Sequence, residues 1–380
     1  GEMAPREKAM VVFGGTGNQG SCVLKHFHAA ETPNVTCVTR NPADARAQQM
    51  ATVFTRVEMA VGDFEDPAGM EGILKDASRD GARDVFVFLI STPCLASTGF
   101  AFDAANEEKT AKALIDVAKS AGVKHVTFSS ATSCGKDNAP SSHKAKAAIE
   151  EHLKASGLPW TILRPAAFFE IAARLYPVSQ GVVSGVCRGD VKQQWVSLDD
   201  LGAAAVNVML SSDKFSKQTL DIVGDHISGN EMAEKLGRLR KEAFIYKVSW
   251  VWRVVMMYMA AAVYEQGVTF QEKYGGSDGD LKVFEKMAAN FPEAFQRKVV
   301  MTYERFCKRY NLVGRTLPPA SDGGRNVVIA GGVLGAVVAG GVTFLPPSVL
   351  DEIKRRWAFY GLVLLVFAGL LLRLITALRK

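Results

Sequence analysis

The chain has 380 residues, 48% hydrophobic and 22% charged, which is enough to bury a sizeable core and excludes intrinsic disorder as its main state. Lys and Arg exceed Asp and Glu by only 45 − 39 = 6, with no long basic run, so a nucleic-acid partner is excluded. The six cysteines (Cys22, Cys37, Cys94, Cys134, Cys187 and Cys307) form no C-x-x-C pair and no zinc-ligand spacing with histidine, which argues for reduced thiols and no metal.

Residues 8–14 (KAMVVFG) are a short apolar run ending in glycine, and a helix over about 18–30 should follow. Residues 34–40 and 57–63 are the next two strands, and 67–78 fits a helix. Residues 84–90 (DVFVFLI) are continuously apolar, the pattern of a strand buried on both faces of a parallel sheet. A helix over 106–121, a strand over 124–129, a helix over 142–156 and a strand over 159–163 complete the alternation. That order predicts an α/β, doubly wound, Rossmann-like parallel sheet over residues 1–165.

Beyond residue 165 the rhythm loosens into a smaller α+β and helical region over 166–316. A helix over 199–210, a strand over 218–223 and a capped helix over 228–239 are expected there, followed by mostly helical chain over 241–311. Within it, residues 250–263 (WVWRVVMMYMAAAV) suit a core or pocket wall. Residues 317–325 read as a linker.

Gly14, Gly15, Thr16, Gly17, Asn18, Gln19 and Gly20 follow the first strand and satisfy G-x-G-x-x-G. Such glycines permit a tight turn, a close approach of backbone to pyrophosphate, and a helix packed tightly on its strand. The helix N-terminus then presents free N–H groups to an anion. Arg40 stands at the end of the second strand, where an NAD(H) site commonly places an acid. Its planar fork suits a 2′-phosphate, which favours NADP(H) over NAD(H); the alternative is a solvated strand-end arginine.

With these residues the sequence resembles the NmrA-like branch of the atypical short-chain dehydrogenase/reductases. The resemblance spans about residues 8–240 and is carried by VVFGGTGNQG (11–20), VTRNP (38–42), VGDFEDP (61–67) and LPWTILRPAAFFE (158–170). WVSLDDLG (195–202) and residues 220–236 support it. It implies that Asp63 and Phe64 lie by the adenine, and that Ser91, Thr92 and Pro93 run along the coenzyme ribose. It implies further that Ser129 and Ser130 border the nicotinamide, and that Arg164 and Pro165 shape the floor between two domains. Arg164 and Asp200 have an alternative as braces of the fold.

Orthodox members use Tyr-x-x-x-Lys. Here the lysine is Lys146, and four residues earlier stands Ser142, a poor general acid near neutral pH. Lys146 is either a ribose anchor, the favoured assignment, or a proton relay in place of the Tyr-Lys pair; a solvated helix lysine is the third option. His143 and Cys134 lack a partner at a diagnostic spacing and carry no catalytic assignment.

Residues 326–345 are uncharged, and residues 357–377 are apolar with Trp357 and Tyr360 at one end and Arg373 in the last part. Each is long enough to cross a bilayer, so a transmembrane hairpin over 326–380 is expected. Gly331, Gly335 and Ala339 recur every four residues, a spacing that lets helices approach closely in lipid. The expected protein is therefore a membrane-anchored NADP(H)-binding accessory, assembly or redox-sensing subunit of a respiratory or photosynthetic complex, with little turnover. Its place would be an organellar membrane, mitochondrial inner or chloroplast, in contact with other membrane subunits through residues 326–345. The alternatives are an active NADPH-dependent reductase of a lipophilic small molecule through Lys146, and a scaffold with an empty nucleotide site.

Overall fold

Alternation of apolar side chains builds the central sheet. In the computed structural model, which describes residues 6–91, 103–137, 139–175, 178–249, 253, 265–274, 279–295 and 299–318, the first strand β1 is Glu7–Phe13. Successive strand residues point to opposite faces. Met10 and Val12 enter one core with Phe86, Phe88 and Ile90, while Val11 and Phe13 enter the other with Val85, Val87 and Leu89. The second set belongs to β4 (Arg83–Ile90), whose unbroken apolar run is thus buried on both sides.

Between them come α1 (Asn18–Ala29), β2 (Val35–Thr39), α2 (Ala45–Val53), β3 (Val57–Val61) and α3 (Pro67–Ser78). After β4 follow α4 (Ala104–Ser120), β5 (His125–Ser129), α5 (Ser141–Ala155) and β6 (Trp160–Pro165). The next elements are β7 (Ala167–Phe168), α6 (Phe169–Leu175), β8 (Val182–Gly185), β9 (Lys192–Val196), α7 (Leu198–Leu210), α8 (Ser212–Phe215) and β10 (Gln218–Ile222). Then come β11 (Asp225–Ser228), α9 (Gly229–Arg240), β12 (Ile245–Val248), α10 (Phe270–Tyr274), α11 (Leu281–Ala289) and α12 (Tyr303–Arg309).

Seven strands pair in the order β10-β6-β5-β4-β1-β2-β3, every pair parallel. The order reverses between β1 and β4, and such a reversal is where open α/β sheets bind ligands, at the carboxyl ends of the strands. The sheet borrows from beyond residue 165: β10 is its edge strand, and α7 covers one face against α1. Helix α7 is buried from Leu198 to Met209, which its composition permits because almost every face is apolar.

A three-stranded sheet (β11-β9-β7) and a parallel pair (β12-β8) form the smaller region with α9 and α12. Among the described residues, the expected mostly helical chain over 241–311 has one departure. Residues Ile245–Val248 are a strand held by β8, and among the described residues the helices α10, α11 and α12 that follow are short. The strand is only four residues long and its partner lies some sixty residues upstream, so no local periodicity betrays it.

Among the described residues no helix is long and apolar enough to cross a membrane. The expected hairpin over 326–380 lies outside the described residues, as do most of 250–263 and of the linker.

Candidate functional site

The β1–α1 turn is shaped by glycines at two positions in particular. Gly14 has φ of +66°, a left-handed conformation that costs other residues energy. A Cβ on Gly20 would lie 2.5 Å from the Gly14 carbonyl oxygen and 2.6 Å from the Gly15 Cα, so α1 sits directly on the turn. The turn is also tied to β2: Gly15 N–H donates to the Val38 carbonyl at 3.3 Å, and the Thr16 and Thr39 hydroxyls are 3.2 Å apart. No side chain caps α1, whose N-cap is Gly17, and no acid stands in its first turn. The first N–H groups of a helix lack intrahelical partners, so this end offers donors and positive potential to an anion.

The other sequence-predicted residues gather at the same end of the sheet. Arg40 follows β2 and is exposed. Asp63 and Phe64 follow β3. Asp63 Oδ1 accepts from Glu65 N–H at 3.0 Å, and the Phe64 ring meets Phe13 edge-on at 6.2 Å. The Phe64 ring also lies 3.7 Å from a Cβ built on Gly14, beside the turn. Ser129 ends β5, and its hydroxyl donates to Gln19 Oε1 at 2.7 Å, joining that strand to the first turn of α1. Thr92 and Pro93 lie outside the described residues, as does the Ser142 side chain.

Ser91 and Lys146 meet through a residue that the sequence pattern did not single out, Glu107. Lys146 Nζ donates to Glu107 Oε1 at 2.6 Å and to Ser91 Oγ at 2.8 Å, and Ser91 Oγ donates to Glu107 Oε1 at 2.7 Å. The carboxylate side chain is 1% exposed and the lysine 16%. A signal did exist. Glu107 shares the buried face of α4 with Thr110, Ala111, Leu114, Ile115 and Ala118, and an acid on that stripe must find a partner inside.

A second buried pair braces the neighbouring strand. Arg164 on β6 reaches Glu150 on α5 with Nε at 2.9 Å and Nη2 at 2.5 Å, and Ser130 Oγ donates to Glu150 Oε1 at 2.6 Å. The bidentate bond, ahead of the opposing effect of burial, raises the arginine's pKa further. Asp200 is fully buried and accepts from Met301 N–H at 2.9 Å. Both residues are engaged in holding elements together. His143 is pushed down to about 4 by burial and then by Lys146, and burial pushes the Cys134 thiol up; neither change favours a general acid or a thiolate.

Arg46 was also missed. It opens α2, and its Nη2 donates to the Gly17 carbonyl at 3.3 Å and to Ser21 Oγ at 3.2 Å, which puts a second exposed arginine beside the turn. Among the described residues no group of three His, Cys, Asp or Glu side chains could hold a metal ion.

Comparison with known proteins gives a consistent pattern. The profile of the NmrA-like family matches residues 6–249. The NmrA-like family domain-containing oxidoreductase malD of Malbranchea aurantiaca is 26% identical over 269 residues, covering 64% of this chain and 77% of its own. The NADPH-dependent quinone oxidoreductase QOR2 of Escherichia coli, solved with NADPH, superposes with a TM-score of 0.62 at 19% identity, over 80% of this chain and 99% of its own. NmrA itself, a negative transcriptional regulator solved with NADP, superposes with a TM-score of 0.58 at 16% identity, over 82% of this chain and 98% of its own. At these identities the solved structures show the shared fold.

Proposed function

Because the chain belongs to the NmrA-like family, we propose that it binds NADP(H) in the crevice between β1 and β4. The observation that carries this is the glycine turn delivering an uncapped helix N-terminus to the point where strand order reverses. The solved relatives that hold NADP or NADPH support it.

The residues fit such a coenzyme end to end. The Gly14–Gly20 turn, with Thr16, Asn18 and Gln19, would hold the pyrophosphate. Arg40, with Arg46 near, would pair with the 2′-phosphate through a planar fork, and no acid at the end of β2 favours NAD(H). Asp63 and Phe64 would border the adenine. Ser91 and, by family likeness, Thr92 and Pro93 would follow the ribose, with Lys146 as its anchor and Ser129 beside the nicotinamide. When bound, NADPH supplies a hydride at the nicotinamide ring.

Low turnover is the favoured consequence. Ser142 stands where a tyrosine would donate a proton, and the Lys146 ammonium already makes two bonds within the protein. A reductase acting through Lys146 on a lipophilic small molecule is the second proposal, supported by the likeness to an oxidoreductase. The test is titration of purified protein with NADPH and NADH, followed by turnover assays with quinones. Tighter binding of NADPH, lost as a preference in Arg40→Ala, supports the assignment; equal binding of both coenzymes in both proteins overturns it. NADPH oxidation that needs quinone and vanishes in Lys146→Ala selects the reductase.

The remaining proposal is an anchor. Residues 326–345 and 357–377 would hold the protein in an organellar membrane, with the glycine spacing of the first packing against other subunits of a complex. Support comes from their lack of charge, their length and the interval of small residues. Alkaline carbonate should leave the full chain in the membrane pellet and release a chain ending at residue 318; release of both overturns the anchor.

A further inference from the structure

We propose that Glu107 is a positioning residue that fixes Lys146 and Ser91 for the ribose on the nicotinamide side of the coenzyme; this rests on the NADP(H) assignment above. The three polar atoms close a triangle of 2.6, 2.7 and 2.8 Å. A lysine ammonium has three hydrogens and a long flexible stem. Two of those hydrogens are committed to Glu107 and Ser91, so the third is left with a defined direction. The Ser91 proton is committed to the carboxylate as well, so its lone pair receives Lys146 and its orientation is set.

The placement of the triangle argues for a purpose beyond bracing. Each corner comes from a different element: Ser91 from the residue after β4, Glu107 from the first turn of α4, Lys146 from α5. The N-terminal turn of α4 favours a negative charge there. Taking an ion pair out of water is costly, and an apolar pair of similar volume would hold α4 on α5 as well or better. The union of α5 with the sheet is already served by the bidentate Glu150–Arg164 pair. What an apolar pair could not supply is a cation held still at the carboxyl end of β4, beside the reversal point of the sheet.

Two ligands differ in the part that Lys146 would hold. NADPH contains the nicotinamide-side ribose; adenosine 2′,5′-bisphosphate keeps the adenosine and 2′-phosphate but lacks that ribose. In the full chain, Glu107→Gln should raise the Kd for NADPH about tenfold or more, the loss expected of a charge-assisted contact, and leave the bisphosphate within about twofold. Lys146→Met should do the same, and the double variant should bind NADPH no more weakly than the poorer single one. Glu107→Asp, which keeps the charge but draws it back from Lys146 and Ser91, should show the same split and stands in if Glu107→Gln does not fold. Equal weakening of both ligands, unchanged NADPH affinity in Glu107→Gln, or single effects that multiply in the double variant would each overturn the role. Wild-type protein that binds the bisphosphate but not NADPH overturns it too, whereas binding neither ligand removes the coenzyme assignment itself.

Discussion

At the scale of single residues, Gly20 and His125 carry separable consequences. The hydrogen that Gly20 presents to the Gly14 carbonyl leaves no room for a methyl group, because the atoms it would meet are backbone and cannot rotate away. Gly20→Ala should therefore lift α1 off the turn, lower the melting temperature and weaken NADPH binding at least tenfold, about 1.4 kcal/mol. Gly72→Ala is the control. It is a helix glycine whose added Cβ meets nothing within 4 Å, and it should be neutral or stabilising by about 0.5–1 kcal/mol. His125 is buried against Thr161, with Nε2 and Oγ1 2.9 Å apart, and burial pushes its pKa from 6.5 down to about 4. The unfolded chain takes up a proton between those two values and the folded one does not, so stability falls as pH drops through that window. His125→Gln should reduce the pH dependence of urea unfolding between pH 6.5 and 4, leaving the part that His143 contributes in the same window; an unchanged slope would refute the assignment. Below this range Asp199 adds its own dependence. Burial would raise its carboxyl, but bonds from His26 and Lys25 hold it well below the usual carboxylate range, so its contribution is present above about pH 4 and lost as it protonates.

At the scale of elements, α1 and α7 cross at close range. A Cβ on Gly202 would sit 2.6 Å from the Cys22 carbonyl oxygen and 2.7 Å from its carbon. Gly202→Val should force the helices apart and cost about 3 kcal/mol, read as a shift in the urea midpoint with the slope unchanged. The strands with long apolar runs, β1 and β4, were legible in the sequence because burial on both faces leaves no polar interruption. The glycine turn was legible because its chemistry is local. Helix α2 was not, since only Ala47 and Met50 of its nine residues are buried and its period is faint. Glu107 and Lys146 lie thirty-nine residues apart, on helices that only the sheet brings together, so spacing alone never joins them. Arg40 could be placed from its position directly after β2, while Arg46 was hidden because its reach to Gly17 depends on where α2 starts.

At the scale of the molecule, a coenzyme in the proposed crevice above β1 and β4 would couple its binding to the stability of the whole sheet. A coenzyme that binds only the folded chain should add about 2.7 kcal/mol at one hundred times its Kd. NADPH should then raise the melting temperature by several degrees, and NADH at the same concentration by less. No dependence of the melting temperature on either coenzyme would contradict the crevice assignment. The smaller region is fastened to this layer by α12 and the residue that follows it. Arg309 Nη2 lies 3.2 Å from Asp199 Oδ2, and the Tyr310 hydroxyl donates to Glu170 Oε1 at 3.0 Å; Glu170 in turn accepts from Leu198 N–H at 3.0 Å, at the start of α7. Those two side chains close on groups synthesised more than a hundred residues earlier. A chain emerging during translation must therefore wait, with Asp199 short of one cation and the α7 entrance uncovered, until residue 310 has cleared the exit tunnel.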